Sequence, residues 1–231
     1  AGGIARGIAE AILEAGGRVG LMDLDAQKSQ AAAQALGAPD RLIAVSGDVT
    51  DLASLEAAFG RIAEKFGRLD GLVNNAGIVR LGPADETTAG GLDLELAVNV
   101  KGVFLASQAA AKLFPGKGAI VNIASNAGKV GYRNMAGYNA SKAAVINLTR
   151  SLALEWAEKG ININAVCPGG TITDYHIRRA ADRGVTEAEL RAAGGPDTLL
   201  KRWAAPREIA YPILFLASAE SSFLTGTPPT G

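Results

Sequence analysis

Cysteine is almost absent from this chain: Cys167 is the only one in 231 residues. A single thiol cannot close an internal disulfide, so a packed core must supply the stability, and the reducing cytoplasm is the expected compartment. Histidine is equally scarce, with His176 alone, and no metal site is expected. Neither charge sign is in excess, because 23 basic residues balance 23 acidic ones. That balance removes the basic field nucleic acid requires and leaves no acidic tail. No apolar run approaches the ~20 residues needed to cross a bilayer, so a membrane partner is not expected either. What is present is enough chain for one domain with a sizeable core, residues 1–231, without a visible linker, repeat or low-complexity segment.

Hydrophobic periodicity alternates between two modes along the chain. Helical spacing predicts helices over residues 4–15, 26–36, 51–66, 92–114 and 136–158. Short apolar runs predict strands over 18–24, 41–45, 69–73, 119–124 and 161–166. Strands this apolar, alternating with helices, indicate a parallel sheet covered on both faces: an α/β, Rossmann-type doubly wound fold. Residues 174–205 break the rhythm, being charged and carrying Gly184, Gly194 and Gly195. Pro206 then opens a last helix over 207–217, in which Pro212 predicts a kink or a shifted start. The first residues, Ala1-Gly2-Gly3-Ile4-Ala5-Arg6-Gly7, read as the middle of a glycine-rich turn opening a helix. A doubly wound sheet places its first strand centrally, so further residues are expected before Ala1. Pro228 and Pro229 would remove two donors from any strand at the other end.

The chemistry is concentrated in Gly137-Tyr138-Asn139-Ala140-Ser141-Lys142, with Ser125 thirteen residues before the tyrosine. Positions i and i+4 of a helix share a face, so the Lys142 ammonium can lie beside the Tyr138 phenol. A nearby cation favours the phenolate and draws the phenol toward neutral-pH acid–base work. Gly2 and Gly3 would bring backbone N–H groups against a pyrophosphate at a helix N-terminus, although a simple loop is the alternative. Asp23 ends the second predicted element about 20 residues later, where a carboxylate can bind ribose hydroxyls and repel a 2′-phosphate. It could equally be a turn residue at a strand end.

More motifs lie in the same order: Asn74-Asn75-Ala76-Gly77, Val98-Asn99-Val100, Ile120-Val121-Asn122-Ile123-Ala124-Ser125, and Asn164-Ala165-Val166-Cys167-Pro168-Gly169 with Thr173 beyond. Together they resemble the short-chain dehydrogenase/reductase superfamily, in its compact single-domain branch, across essentially the whole chain. The resemblance implies hydride transfer between a nicotinamide cofactor and a secondary alcohol or ketone. Tyr138 would be the general acid/base, Ser125 would stabilise the substrate oxygen, and Lys142 would tune the phenol and bind the nicotinamide ribose. Asn99 would bend its helix and hold a water leading to Lys142. Cofactor contacts are implied for Gly2, Gly3, Ile4, Asp23, Leu24, Asp48, Val49, Asn75, Ala76, Gly77, Tyr138, Lys142, Pro168, Gly169, Thr171 and Thr173. Ala5 stands where the family pattern has a third glycine, and Thr171 where an aliphatic residue is usual. With Asp23 present and no arginine at Gly2 or Leu24, NAD is expected rather than NADP.

Pocket-wall candidates for the substrate are Asn126, Tyr132, Asn134, Met135 and His176, and residues 174–205 match the family's mobile substrate-covering segment. Arg178, Arg179, Arg183, Arg191, Lys201 and Arg202 suggest an acidic substrate. Asp182, Glu187, Glu189 and Asp197 interleave with them, which favours a solvated face instead. The leading expectation is oxidation of a polyol, sugar, diol or similar small alcohol. The alternatives are a 3-oxoacyl thioester reductase and a catalytically silent NAD sensor or scaffold. Family members assemble as homotetramers through their two longest helices, here 92–114 and 136–159, so a homo-oligomer is expected.

Overall fold

Helix and strand alternate through the computed structural model of the chain, which describes residues 2–195 and 198–227. Asp197 and the prolines at 228 and 229 lie outside the described residues. In chain order the elements begin with α1 (Gly3–Glu14), β1 (Val19–Asp23), α2 (Ala26–Leu36), β2 (Leu42–Ser46), α3 (Leu52–Phe66) and β3 (Gly71–Asn74). They continue with α4 (Ala89–Leu96), α5 (Gly102–Ala111), β4 (Gly118–Ile123), α6 (Ala136–Trp156) and β5 (Ile161–Val166). The last three helices are α7 (Asp174–Ala181), α8 (Glu187–Ala192) and α9 (Pro206–Leu216). Local chemistry explains several ends. Asp25 caps α2 by accepting from the Gln27 and Lys28 amides, and Gly37 closes it at φ 63°. Asp51 and Gly67 bound α3 in the same way.

Every strand pair is parallel. Among the described residues β1 pairs with β2, and β3, β4 and β5 form a second sheet in that order. The two sheets flank a cleft of about 640 Å³ lined by every residue of β1 and of β3. Strand alternation sends the two faces of β4 to different helices. Val121 and Ile123 pack with Ile8 of α1 and Ile209 and Ile213 of α9. Ile120 packs with Leu152 of α6. Both faces are dry, which is why the strand carries almost no polar residue. Its exception, Asn122, lies opposite Asn74 of β3 and accepts a hydrogen bond from it at 2.8 Å. Asn74 also donates to Ser107 of α5, and Asn122 to Thr149 of α6. This satisfied polar ladder ties both helices to the sheet.

The long helix expected over 92–114 is broken. A π-helical turn, Ala97–Lys101, separates α4 from α5 and carries buried Asn99. Such turns recur at functional sites, and here the extra residue aims the Asn99 amide inward. Helix α9 starts at Pro206 and runs without interruption through Pro212. After α9, residues 224–227 run beside β5: the Gly226 amide donates to the Ile163 carbonyl and the Ala165 amide to the Thr227 carbonyl.

A 3-10 turn, Asn126–Gly128, packs on the backbone of α6. A Cβ on Gly128 would stand 2.6 Å from the Lys142 carbonyl carbon, whereas one on Gly131 would meet nothing within 4 Å. Gly128→Ala should therefore cost about 1–3 kcal/mol and lower Tm by several degrees. Gly131→Ala should leave Tm almost unchanged in the same thermal melt.

Candidate active site

Tyr138 and Lys142 occupy the first two turns of α6, and the Lys142 ammonium lies 5.6 Å from the Tyr138 ring centroid. Lys142 is only 4% exposed. Its Nζ donates to the Ile123 carbonyl at 2.7 Å, at the end of β4. Ser125 follows two residues on, its Oγ accepting from the Ala127 amide at 3.1 Å, and it lines the same cavity as the Tyr138 phenol. Asn99 supports the group from behind. Its Oδ1 accepts from the Ile78 amide, while its Nδ2 donates to the Ile78 carbonyl and to Ser141 Oγ. Three of its side-chain hydrogen bonds are thus committed to protein groups. Gly77 fits between: a Cβ there would reach Asn99 Oδ1 at 3.4 Å and Lys142 Nζ at 3.5 Å.

Electrostatics differ from the sequence expectation. Burial pushes the Lys142 ammonium down to about 8. Burial also raises the Tyr138 phenol above its ordinary value, the Ser125 hydrogen bond opposes that, and the charge of Glu95 adds to it. Desolvation is the largest cause and sets the direction of the phenol's shift. Glu95 itself is a buried carboxylate that no motif in the chain singled out. It accepts from the Arg80 amide at 2.8 Å, and a Cβ on Gly137 would fall 2.4 Å from its Oε2. Glycine before the tyrosine is thereby explained.

Two cavities meet at Asn75, Gly77 and Ile78. The first, about 700 Å³, is lined by Ser125, Tyr138 and Lys142 together with Ile4, Pro168, Gly169, Thr171 and Thr173. The second is the cleft between the sheets, and Gly2, Asp23, Leu24, Asp48, Val49 and Ala76 border it. Asp23 closes β1 and accepts from the Asp25 amide at 3.0 Å, so it is a turn residue as well as a cavity residue. Asp48 is held below the usual carboxylate range by hydrogen bonds from the Thr50 amide and hydroxyl. Gly3 borders neither cavity. It supports Thr173, whose Cβ would lie 3.4 Å from an added Gly3 Cβ. A helix N-terminus with an open glycine, a carboxylate at a strand end and a second chamber holding the tyrosine fit an extended dinucleotide.

Of the substrate-wall candidates, Asn126, Tyr132, Met135 and His176 line the first cavity. Asn134 does not; it sits at φ 61° in a turn, its carbonyl accepting from the Gly82 amide. Segment 174–205 is clipped at its base, with Thr171 bridging Ala204 in parallel fashion. From it Tyr175, Arg179, Arg183, Leu190 and Trp203 also reach the cavity. The helical spacing 176, 179, 180, 183 was the available signal for the two arginines. Burial lowers the His176 pKa, helped by Arg179, and Thr173 Oγ1 lies 2.9 Å from its Nδ1.

The family model described as enoyl-(acyl carrier protein) reductase matches residues 1–228. A 2-(S)-hydroxypropyl-CoM dehydrogenase 3 of Xanthobacter autotrophicus is 40% identical over 97% of this chain and 89% of its own length. A D-threitol dehydrogenase of Mycolicibacterium smegmatis is 38% identical over 98% of this chain and 86% of its own. The crystal structure of sorbitol-6-phosphate 2-dehydrogenase from Erwinia amylovora superposes with a TM-score of 0.86 at 31% identity, covering 97% of this chain and 92% of that one. The chain belongs to this family, the short-chain dehydrogenase/reductases, and is an oxidoreductase acting on CH–OH groups with a nicotinamide cofactor.

An ammonium with a depressed folded pKa holds its proton less tightly folded than unfolded. Stability therefore rises as pH climbs from about 8 toward the ordinary lysine value of 10.5. Wild type should gain on Lys142→Met by on the order of 3 kcal/mol across that window, read as the difference in urea unfolding free energy. A difference independent of pH would mean that the ammonium is not desolvated.

Proposed function

We propose that this dehydrogenase oxidises a secondary alcohol of a polyol, sugar, diol or similar small molecule with NAD. The observation that carries the reading is that Ser125 and Tyr138 share the wall of the first cavity, with Lys142 buried beside the phenol ring. In oxidation Tyr138 takes the hydroxyl proton, and Ser125 donates to the substrate oxygen as charge develops there. Lys142, held by the Ile123 carbonyl, keeps a positive charge next to the phenolate so formed and faces the nicotinamide ribose. Asn99 positions Ile78 and Ser141, and a water relay from Lys142 past it completes the proton path. When bound, the oxidised nicotinamide accepts the hydride and adds a positive charge that favours the phenolate.

Gly2, Asp23, Leu24, Asp48 and Val49 on the second cavity would hold the adenosine half of NAD, and Ile4, Thr171 and Thr173 on the first its nicotinamide half, with Asn75–Gly77 between them. Asp23 would repel a 2′-phosphate and hydrogen-bond the ribose, which favours NAD over NADP. Relatives named for threitol and sorbitol 6-phosphate support a polyol-like substrate. A second reading is reduction of a 3-oxoacyl thioester, which shares only its acyl-thioester class of substrate with the enoyl reductases for which the matching family model is described. A silent NAD sensor would have no use for a serine and a tyrosine on one cavity wall with a buried lysine beside them. We also infer a homo-oligomer, supported by the exposed Leu94, Phe104 and Leu154 on the long helices. The buried free thiol of Cys167 suits the cytoplasm.

Reduction of NAD and NADP should be followed with polyols, sugars, diols and 3-hydroxyacyl thioesters. We expect turnover with NAD on one alcohol class. Tyr138→Phe should lower kcat by about 10²–10⁴-fold while cofactor binding persists. Asp23→Ala should narrow the preference for NAD. Turnover confined to thioesters with NADP would establish the second reading instead.

A further inference from the structure

We propose that the substrate carries an oxyanionic group, such as a phosphate ester, seated on Arg179 and Arg183 at the rim of the first cavity. The inference rests on the dehydrogenase reading above and names the substrate class of that same site. Its basis is where α7 and the turn that follows it place their side chains. His176, Arg179 and Ala180 of α7 and Arg183, two residues past its end, all line the cavity that holds Tyr138. Arg178, one position off that face, does not line it.

The cavity's charge is one-sided. Among the described residues its lining includes Lys142, Arg179 and Arg183 but no aspartate or glutamate. The chain as a whole is neutral, with 23 residues of each sign, so the imbalance belongs to the cavity and not to the composition. Neighbouring arginines behave differently. Arg191 pairs with Glu187 and Arg202 with Glu208, both at 2.6 Å. Arg179 and Arg183 join no ion pair among the described residues. Arg179 is instead braced, donating from Nη1 to the Tyr175 hydroxyl at 3.0 Å. Burial, helped by Arg179, lowers the proton affinity of His176, which leaves the two guanidinium groups as the permanent charges on this side of the cavity.

Two guanidinium forks beside an apolar wall of Val185, Leu190 and Trp203 suit a doubly charged oxyanion, which accepts paired N–H donors from each. A neutral polyol would leave both forks without a charged partner. The cation nearest the reacting hydroxyl, Lys142, is already committed to Ile123. The anion would therefore bind at the α7 end and extend the reacting carbon toward Tyr138.

The test compares matched pairs, sorbitol with sorbitol 6-phosphate and 2-butanol with 3-hydroxybutyrate, as substrates of the full-length enzyme with NAD. We expect kcat/KM to favour the anionic member of a pair by tenfold or more, with KM rising as salt is added. Preference for the phosphate pair alone would assign a phosphate, and preference for the acid pair alone a carboxylate. Arg179→Ala and Arg183→Gln should each raise KM for the anionic member at least tenfold and collapse the preference, Arg179→Lys should restore part of it, and Arg178→Ala should not alter it. Binding is read separately by titrating Trp203 fluorescence with sorbitol 6-phosphate in a Trp156→Phe background. Equal kcat/KM for charged and neutral members, unmoved by the arginine replacements, would overturn the inference while leaving the dehydrogenase intact. No turnover of any alcohol would instead remove the dehydrogenase reading. A fluorescence response to sorbitol 6-phosphate that needs both arginines would still support the anion site in that case.

Discussion

Burying one ammonium is the constraint on which this structure turns. Lys142 is withdrawn from water almost completely, and a desolvated cation is tolerated only with a partner in place. The Ile123 carbonyl is that partner, and it is available because β4 ends there, one residue short of the run leading to Ser125. The same burial draws the lysine's proton affinity down toward the range in which the enzyme must trade protons. A more exposed lysine would be an ordinary surface charge on α6.

Holding that cation in register with the phenol requires close approach from several sides. Gly128 lets backbone come against Lys142 where a methyl group would intrude, and Gly77 packs beside its ammonium. The π-helical turn carries Asn99 to the Ile78 backbone and to Ser141, one residue before the lysine. Behind these, the Asn74–Asn122 pair and its hydroxyl partners connect α5 and α6 through the sheet. Polar groups so deep in an apolar core are costly unless satisfied, and satisfied networks confer one geometry in preference to many. The rigidity needed by the proton-transfer groups is thus built from the same contacts that complete the core.

Specificity is made differently. The catalytic groups sit at strand ends and on the first turns of α6, whereas the outer wall of the cavity comes from one excursion between Thr171 and Ala204. Its base is fixed by hydrogen bonds from Ile172 to Ala204 and from Ala204 to Gly170. Within it, surface ion pairs and a Thr186–Glu189 capping box organise the short α8. Such a segment can change its side chains without disturbing the ammonium or its partners.

The sequence by itself determined the alternation of elements, the i, i+4 pairing of Tyr138 with Lys142 and the set of residues around the reacting centre. These follow from local periodicity and from motifs whose spacing is visible along the chain. It also placed most strand and helix limits within two residues, because caps such as Asp25, Gly37 and Gly67 act locally. Tertiary structure alone decided the direction of the tyrosine's shift, since burial depends on what packs around a side chain and not on its neighbours in sequence. It decided as well that the bend expected at Asn99 takes the form of a π-helical turn, that Asn134 turns away and that both readings of Asp23, turn and cavity, hold together. The paired and unpaired arginines of residues 174–205 look alike in sequence. Only the folded segment separates those that meet a carboxylate, Arg191 and Arg202, from those that face the cavity, because charge is neutralised through space.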